Sequence, residues 1–152
     1  MIDARELMIG DWVQVHESYI DEETGEKEFF YKEPITMQVG AVYQNVIQTI
    51  APWTDIKNGI GYDEASLDEI IPIPLTEEIL EKNGFKKVNT QRYDFGDPNG
   101  DYYINVNPKK KRIHFNSYTG NCNLYPDNLT VHTLQHILRL YGLGNLADNF
   151  QV

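Results

Sequence analysis

His132 and His136 are the pair in this 152-residue chain whose spacing has ligand geometry. Side chains four apart on a helix leave the same face, and two imidazoles so placed could share a metal ion. A zinc site needs a third and usually a fourth ligand; Asp127, His114 and Cys122 are the nearest candidates in sequence. The metalloprotease form is excluded, because it requires Glu directly after the first His and Thr133 stands there. The plainer reading is that two polar residues flank an apolar stripe, with His132 packing or capping locally.

Lys109-Lys110-Lys111-Arg112 is the only basic run. It falls at an expected hairpin tip, beside a strand carrying His114, Phe115 and Tyr118 and opposite Tyr102 and Tyr103. Basic residues next to aromatics on a sheet hold single-stranded nucleic acid by phosphate contact and base stacking. A solvated tip that discourages edge-to-edge pairing has the same composition. Glu17, Asp21, Glu22, Glu23, Glu26 and Glu28 gather at another hairpin. They could attract a cation or a DNA-binding partner, but their spacing does not match a calcium loop. Cys122 lies between Asn121 and Asn123 with no base nearby in sequence, so it reads as a half-buried small residue. Phosphate-binding glycine loops, nucleophile elbows, dinucleotide fingerprints and zinc cysteine pairs are absent from the sequence. No cofactor is implied, and enzymatic activity is not the expectation.

The elements that must position these residues are bounded by two capped helices. Thr76 is placed to cap the first, Glu77 and Glu78 suit its N-terminal dipole, and Leu75 and Leu80 form a staple. Gly84 can end it in the left-handed conformation, with Phe85 folding back on Leu80. Thr130, the Leu129–Leu134 staple and Gly142 repeat the plan in the second helix, where Val131, Leu134, Leu138 and Tyr141 form an apolar stripe. Helices of roughly a dozen residues are marginal alone, so that stripe must lie on a sheet. Between the helices, strands are expected over 87–95, 102–106 and 112–118, with a further short strand over 122–125.

Before the first helix the chain is β-rich. Strands are expected over 7–15, from Phe29 to an interruption at Pro34 and over 36–50 as one bulged strand or two short ones; 67–73 reads as a last short strand or a turn leading into Pro72 and Pro74. Residues 51–61 read as a loop, and Pro72 and Pro74 as an extended connector. The expectation is an α+β protein: an SH3-like small β-barrel over 1–74, then helix–antiparallel meander–helix over 75–152, the two packed as one unit.

Net charge is −10, unevenly spread. Residues 1–75 hold 15 acidic and 4 basic side chains, and residues 76–152 hold 8 and 9. A duplex-binding protein needs a positive surface, which the whole chain lacks. No apolar run is long enough to span a membrane, the N-terminus does not resemble a secretion signal, and one cysteine allows no intrachain disulfide. A cytoplasmic location is expected.

Three ordered segments carry a resemblance: Met8-Ile9-Gly10-Asp11-Trp12-Val13, the run from Ile71-Pro72-Ile73-Pro74 through Leu75-Thr76-Glu77-Glu78 to Gly84-Phe85, and Val131-His132-Thr133-Leu134-Gln135. Together they resemble a family of small uncharacterised proteins from gut anaerobes and their phages. The resemblance implies no activity. The chain departs from the pattern at His136, where a non-ligand polar residue is usual, and the 21–28 loop is longer. The expected function is a non-enzymatic interaction module associated with a phage or mobile element. Its protein partner is expected to meet exposed aromatics at Trp12, Trp53, Tyr102 and Tyr103, or the acidic hairpin. Single-stranded nucleic-acid binding through Lys109–Arg112 and Tyr118 is the first alternative, and a small metal-dependent enzyme using His132 and His136 the second.

Overall fold

A computed structural model describes residues 6–44, 46–50, 62–117 and 120–152. It is an α+β protein, mostly strands with few helices, and it divides into two compact units, Met1–Ile73 and Pro74–Val152.

The first unit holds β1 (Trp12–Val15), the small hairpin β2 (Ser18–Ile20) and β3 (Lys27–Phe29), then β4 (Ile35–Val42), β5 (Val46–Ile50), β6 (Tyr62–Ser66) and β7 (Ile70–Pro72). A short 3-10 turn, Leu67–Glu69, joins the last two. The main sheet runs β6-β5-β4-β1-β7, with β2 and β3 pairing apart from it. Alternation decides what goes inside: Val13 and Val15 on β1, Met37 and Val39 on β4 and Ile47 on β5 join Leu7, Ala65 and Ile70 in one core. Gly10, at a φ of 87°, makes the turn before β1, and the Asp11 carboxylate accepts from the Met8 amide at 2.8 Å. The register slips between Val39 and Ala41, so the apolar stretch read as one bulged strand or two is in fact both: two strands, the first with a bulge. Pro72 sits on the edge strand β7, where a missing amide costs little. Among the described residues the sheet is open, its edges β6 and β7 unpaired with each other, so a closed barrel is not what the pairing gives.

The second unit holds α1 (Glu77–Lys82), β8 (Lys86–Asn89), β9 (Arg92–Gly96), β10 (Tyr102–Asn107), β11 (Arg112–Ser117), β12 (Gly120–Leu124), α2 (Val131–Leu140) and α3 (Gly144–Asp148). Its sheet is an antiparallel meander, β12-β11-β10-β9-β8. Both helix plans appear in the geometry. The Thr76 hydroxyl accepts from the Ile79 amide at 3.2 Å, and that of Thr130 from the Thr133 amide at 3.4 Å. Gly84 and Gly142 sit at φ of 82° and 78°. The Phe85 and Leu143 amides return to the Leu80 and Leu138 carbonyls at 3.0 and 2.8 Å, closing each helix end.

Two features differ from the sequence expectation. The segment 87–95 is a hairpin rather than one strand, turned at Thr90-Gln91 with the Gln91 amide donating to the Asn89 side chain at 2.9 Å. A third helix, α3, follows the glycine stop, and Gln135, fully buried, donates to its Ala147 carbonyl at 2.9 Å. The faces of the meander are sharply different. Tyr93, Phe95, Ile104, Val106, Ile113 and Phe115 lie on one side, where Phe85 packs on Phe95 and Tyr141 stacks on Phe115 with centroids 4.1 Å apart. Arg92, Asp94, Tyr103, Asn105, Arg112, His114, Asn121 and Asn123 occupy the other.

Candidate functional site

The first candidate is the β2–β3 hairpin. Its tip is shaped by Asp21, whose Oδ1 accepts from the Glu23 and Thr24 amides at 2.9 and 2.7 Å and from the Thr24 hydroxyl at 2.9 Å. The Thr24 amide bond leads in holding this carboxyl below its usual range. Gly25, at a φ of 71°, completes the reversal. Glu69 fixes the hairpin's base. Its Oε1 accepts from the Ser18 amide and hydroxyl at 2.8 and 2.7 Å, and its Oε2 from the Ser66 amide and hydroxyl at 3.1 and 2.7 Å. Burial works against ionisation here, but these four bonds prevail and hold the carboxyl below its usual range.

On that base stand large side chains open to solvent, Tyr19, Ile20, Phe29, Phe30 and Tyr31, from 39% to 61% exposed, with Ile20 and Phe29 on one face of the hairpin and Tyr19 on the other. They are ordered by one another. His16 stacks on Phe29 with centroids 3.8 Å apart, its Nε2 lies 3.2 Å from the Tyr31 carbonyl, and Tyr19 packs on Phe30 at 4.8 Å. Glu22, Glu23, Glu26 and Glu28 are exposed around them. The expected acidic hairpin is therefore also an aromatic one. The signal available in sequence was the run Phe29-Phe30-Tyr31 itself, since three consecutive aromatics cannot all face a core from one strand.

The second candidate is the polar face of the meander. The Arg92 guanidinium grips Asp94 with two bonds, 2.8 Å from Nε and 2.7 Å from Nη2, and also donates to the Tyr103 hydroxyl. Asn105 donates to Asp94 at 2.7 Å, and Arg112 donates to Asn105 at 3.1 Å. Burial alone would raise the Asp94 carboxyl, but Arg92, Tyr103 and Asn105 hold it low. Arg92, Tyr103, Asn105, Arg112, His114 and Asn123 line a concavity of about 420 Å³. The Arg112 Nε–H is buried there without a hydrogen-bond partner.

The aromatics expected to meet a partner stand elsewhere than assumed. Tyr103 is buried at 8% exposure, and Tyr102 is half-buried on the opposite face, stacked toward Phe95; strand alternation sends neighbours to opposite sides. Trp12 is half-buried beside the core residues of β1. The burial of Tyr103 corrects the expectation that it is exposed, while Trp12 and Tyr102 keep part of their surface. Trp53 and Tyr118 lie outside the described residues. Lys109, Lys110 and Lys111 are exposed at the β10–β11 tip, as the sequence suggests, and Lys111 takes the left-handed conformation at a φ of 46° and donates to the Asp127 carbonyl.

His132 and His136 do share a helix face, their rings meeting edge-on at 5.8 Å. His132 is buried, with Nδ1 3.1 Å from the hydroxyl of the cap residue Thr130. Among the described residues no group of three His, Cys, Asp or Glu side chains could hold a metal ion. Cys122 bonds the Tyr141 hydroxyl. Among the described residues no helix is long and apolar enough to cross a membrane. No family model matches the chain, and neither a curated protein nor a solved structure matches it.

Proposed function

We propose that the protein is a non-enzymatic interaction module whose first unit recognises a basic, extended segment of a partner protein through the β2–β3 hairpin. The observation that carries this is the exposure of Tyr19, Ile20, Phe29, Phe30 and Tyr31 on and beside one small hairpin, Tyr19 with Phe30 on one side and Ile20 and Phe29 on the other. Single exposed apolar side chains are ordinary, but clusters rimmed by polar residues mark binding surfaces. The hairpin carries exposed Glu22, Glu23, Glu26 and Glu28 against one lysine, Lys27, which lies over the Phe29 ring; that balance favours Lys and Arg in the partner and speeds encounter. Aromatics supply contact area at low entropic cost, and their mutual stacking pre-orders them. The strand order β6-β5-β4-β1-β7 supports reading the first unit as SH3-like, with the hairpin as the excursion between its first two meander strands.

The test is binding of fluorescent peptides graded in Lys and Arg content, with Phe30→Ser as the altered protein. Micromolar binding that rises with peptide charge, weakens with salt and is lost in Phe30→Ser is the expected outcome. Equal binding by Phe30→Ser, or binding indifferent to peptide charge, would sink the proposal. Neutralising Lys109 to Arg112 is expected to leave it unchanged.

A further inference from the structure

The polar face of the meander carries a second and independent inference. Lys86, Arg92 and Arg112 stand on this face against a single carboxylate, Asp94, which is the only acidic side chain in the five strands. Asp94 is already saturated: the Arg92 fork takes both oxygens, and Asn105 adds a third bond. Arg112 is left over. Its one hydrogen-bond partner among the described residues is the neutral Asn105 side chain, and its buried Nε–H has none. A buried donor on a permanent cation is costly to leave unmade, and the fork geometry of guanidinium suits two oxygens of one anion.

The surroundings decide which anion. The concavity has room for more than a lone ion and is walled by the amides of Asn105 and Asn123, the His114 ring and Tyr103. These groups donate and accept, as the edges of a nucleobase require. The positive charge does not stop at the concavity. Asn107 pairs with Arg112 across the end of the β10–β11 hairpin, and Lys110 is exposed on the turn beyond, whereas Lys109 is near enough to Glu77 of α1 to act on its carboxyl. A cation inside a recess with a further exposed cation on the turn beyond it matches repeating phosphates better than one small anion. Residues 76–152 carry 8 acidic and 9 basic side chains, so this half does not repel a polyanion as the first half would.

We propose that this face binds single-stranded nucleic acid, with one backbone phosphate on Arg112, a base against His114 and Asn123, and a following phosphate on Lys110. The experiment is fluorescence anisotropy of the full chain with a labelled oligothymidylate of about a dozen nucleotides, within the usual site size of such surfaces. Two phosphate contacts predict a log–log salt slope of about −1.4. Arg112→Gln is expected to weaken binding about tenfold. Lys110→Gln is expected to flatten the slope by about 0.7. Arg112→Lys keeps the charge without the fork and should fall between wild type and Arg112→Gln, which separates a lost contact from a lost fold. Phe30→Ser should bind the strand like wild type, so the outcome is read separately from that of the hairpin. Absence of binding at low salt, an unchanged affinity in Arg112→Gln, or displacement of the strand by equimolar thymidine monophosphate would each overturn the proposal.

Discussion

The meander of the second unit gives its apolar face to groups at the helix ends such as Phe85 and Tyr141 and builds the other face into a network running from Arg92 through Asp94 and Asn105 to Arg112. In the first unit the sheet packs on a core of aliphatics such as Val13, Val15, Val39, Ile47 and Ala65, and Tyr19, Phe29, Phe30 and Tyr31 stand on or beside a hairpin in solvent. One unit uses its aromatics for cohesion; the other displays them. The contrast teaches that an aromatic's position in the alternation, and not its number, decides whether it stabilises or recognises. Phe95 and Phe115 sit in step with Ile104 and Ile113 and are absorbed, while Phe30 and Tyr31 follow the end of β3 and are not.

The contrast breaks most decisively if the meander's two faces prove equally important to stability. Leu134→Ala, at a fully buried position of α2, is expected to cost about 3 kcal/mol in urea denaturation. Asn123→Ala on the polar face should stay within about 0.5 kcal/mol. Next in size is Glu69, the acceptor of four bonds at the hairpin base. Glu69→Ala is expected to cost about 2 kcal/mol. Its pH dependence sharpens the point. The folded-state carboxyl titrates below its unfolded value, so its contribution is present in full above the ordinary carboxylate range and is lost as pH falls through the lower folded value. The melting-temperature gap between wild type and Glu69→Gln should therefore close as pH drops below about 4. Thr130→Ala removes the α2 cap and should cost about 1 kcal/mol by the same urea titration. The smallest effect is expected at the displayed aromatics: Phe30→Ser should leave stability within about 0.5 kcal/mol while abolishing peptide binding.

Much of this was legible in the residues because it is local. Thr76 with Gly84 and Thr130 with Gly142 write their helices within a dozen positions, and Gly25 and Asp21 write a turn within five. What was hidden depends on register or on tertiary burial. The Thr90-Gln91 turn contains neither Gly nor Pro, and the short α3 starts from Leu143 without a side-chain cap, directly after a helix stop. Tyr102 and Tyr103 looked equivalent as a pair; only the pairing with Phe115, Asn116 and Ser117 assigns them opposite sides. The recess of the second unit joins Arg92, Asn105, Arg112 and Asn123 across four strands, a juxtaposition no linear spacing announces.

The carboxylates around the hairpin also govern how copies of this chain treat each other. Glu22, Glu23, Glu26 and Glu28 surround side chains that would otherwise adhere to their own kind, and at neutral pH the chain's charge of −10 keeps molecules apart. Near the isoelectric point of about 4.7 that barrier vanishes while the rings stay bare. Light scattering should then report clustering of wild-type protein at concentrations where Phe30→Ser remains monodisperse. The hairpin thus carries its own colloidal guard, and its stickiness is set by acidity.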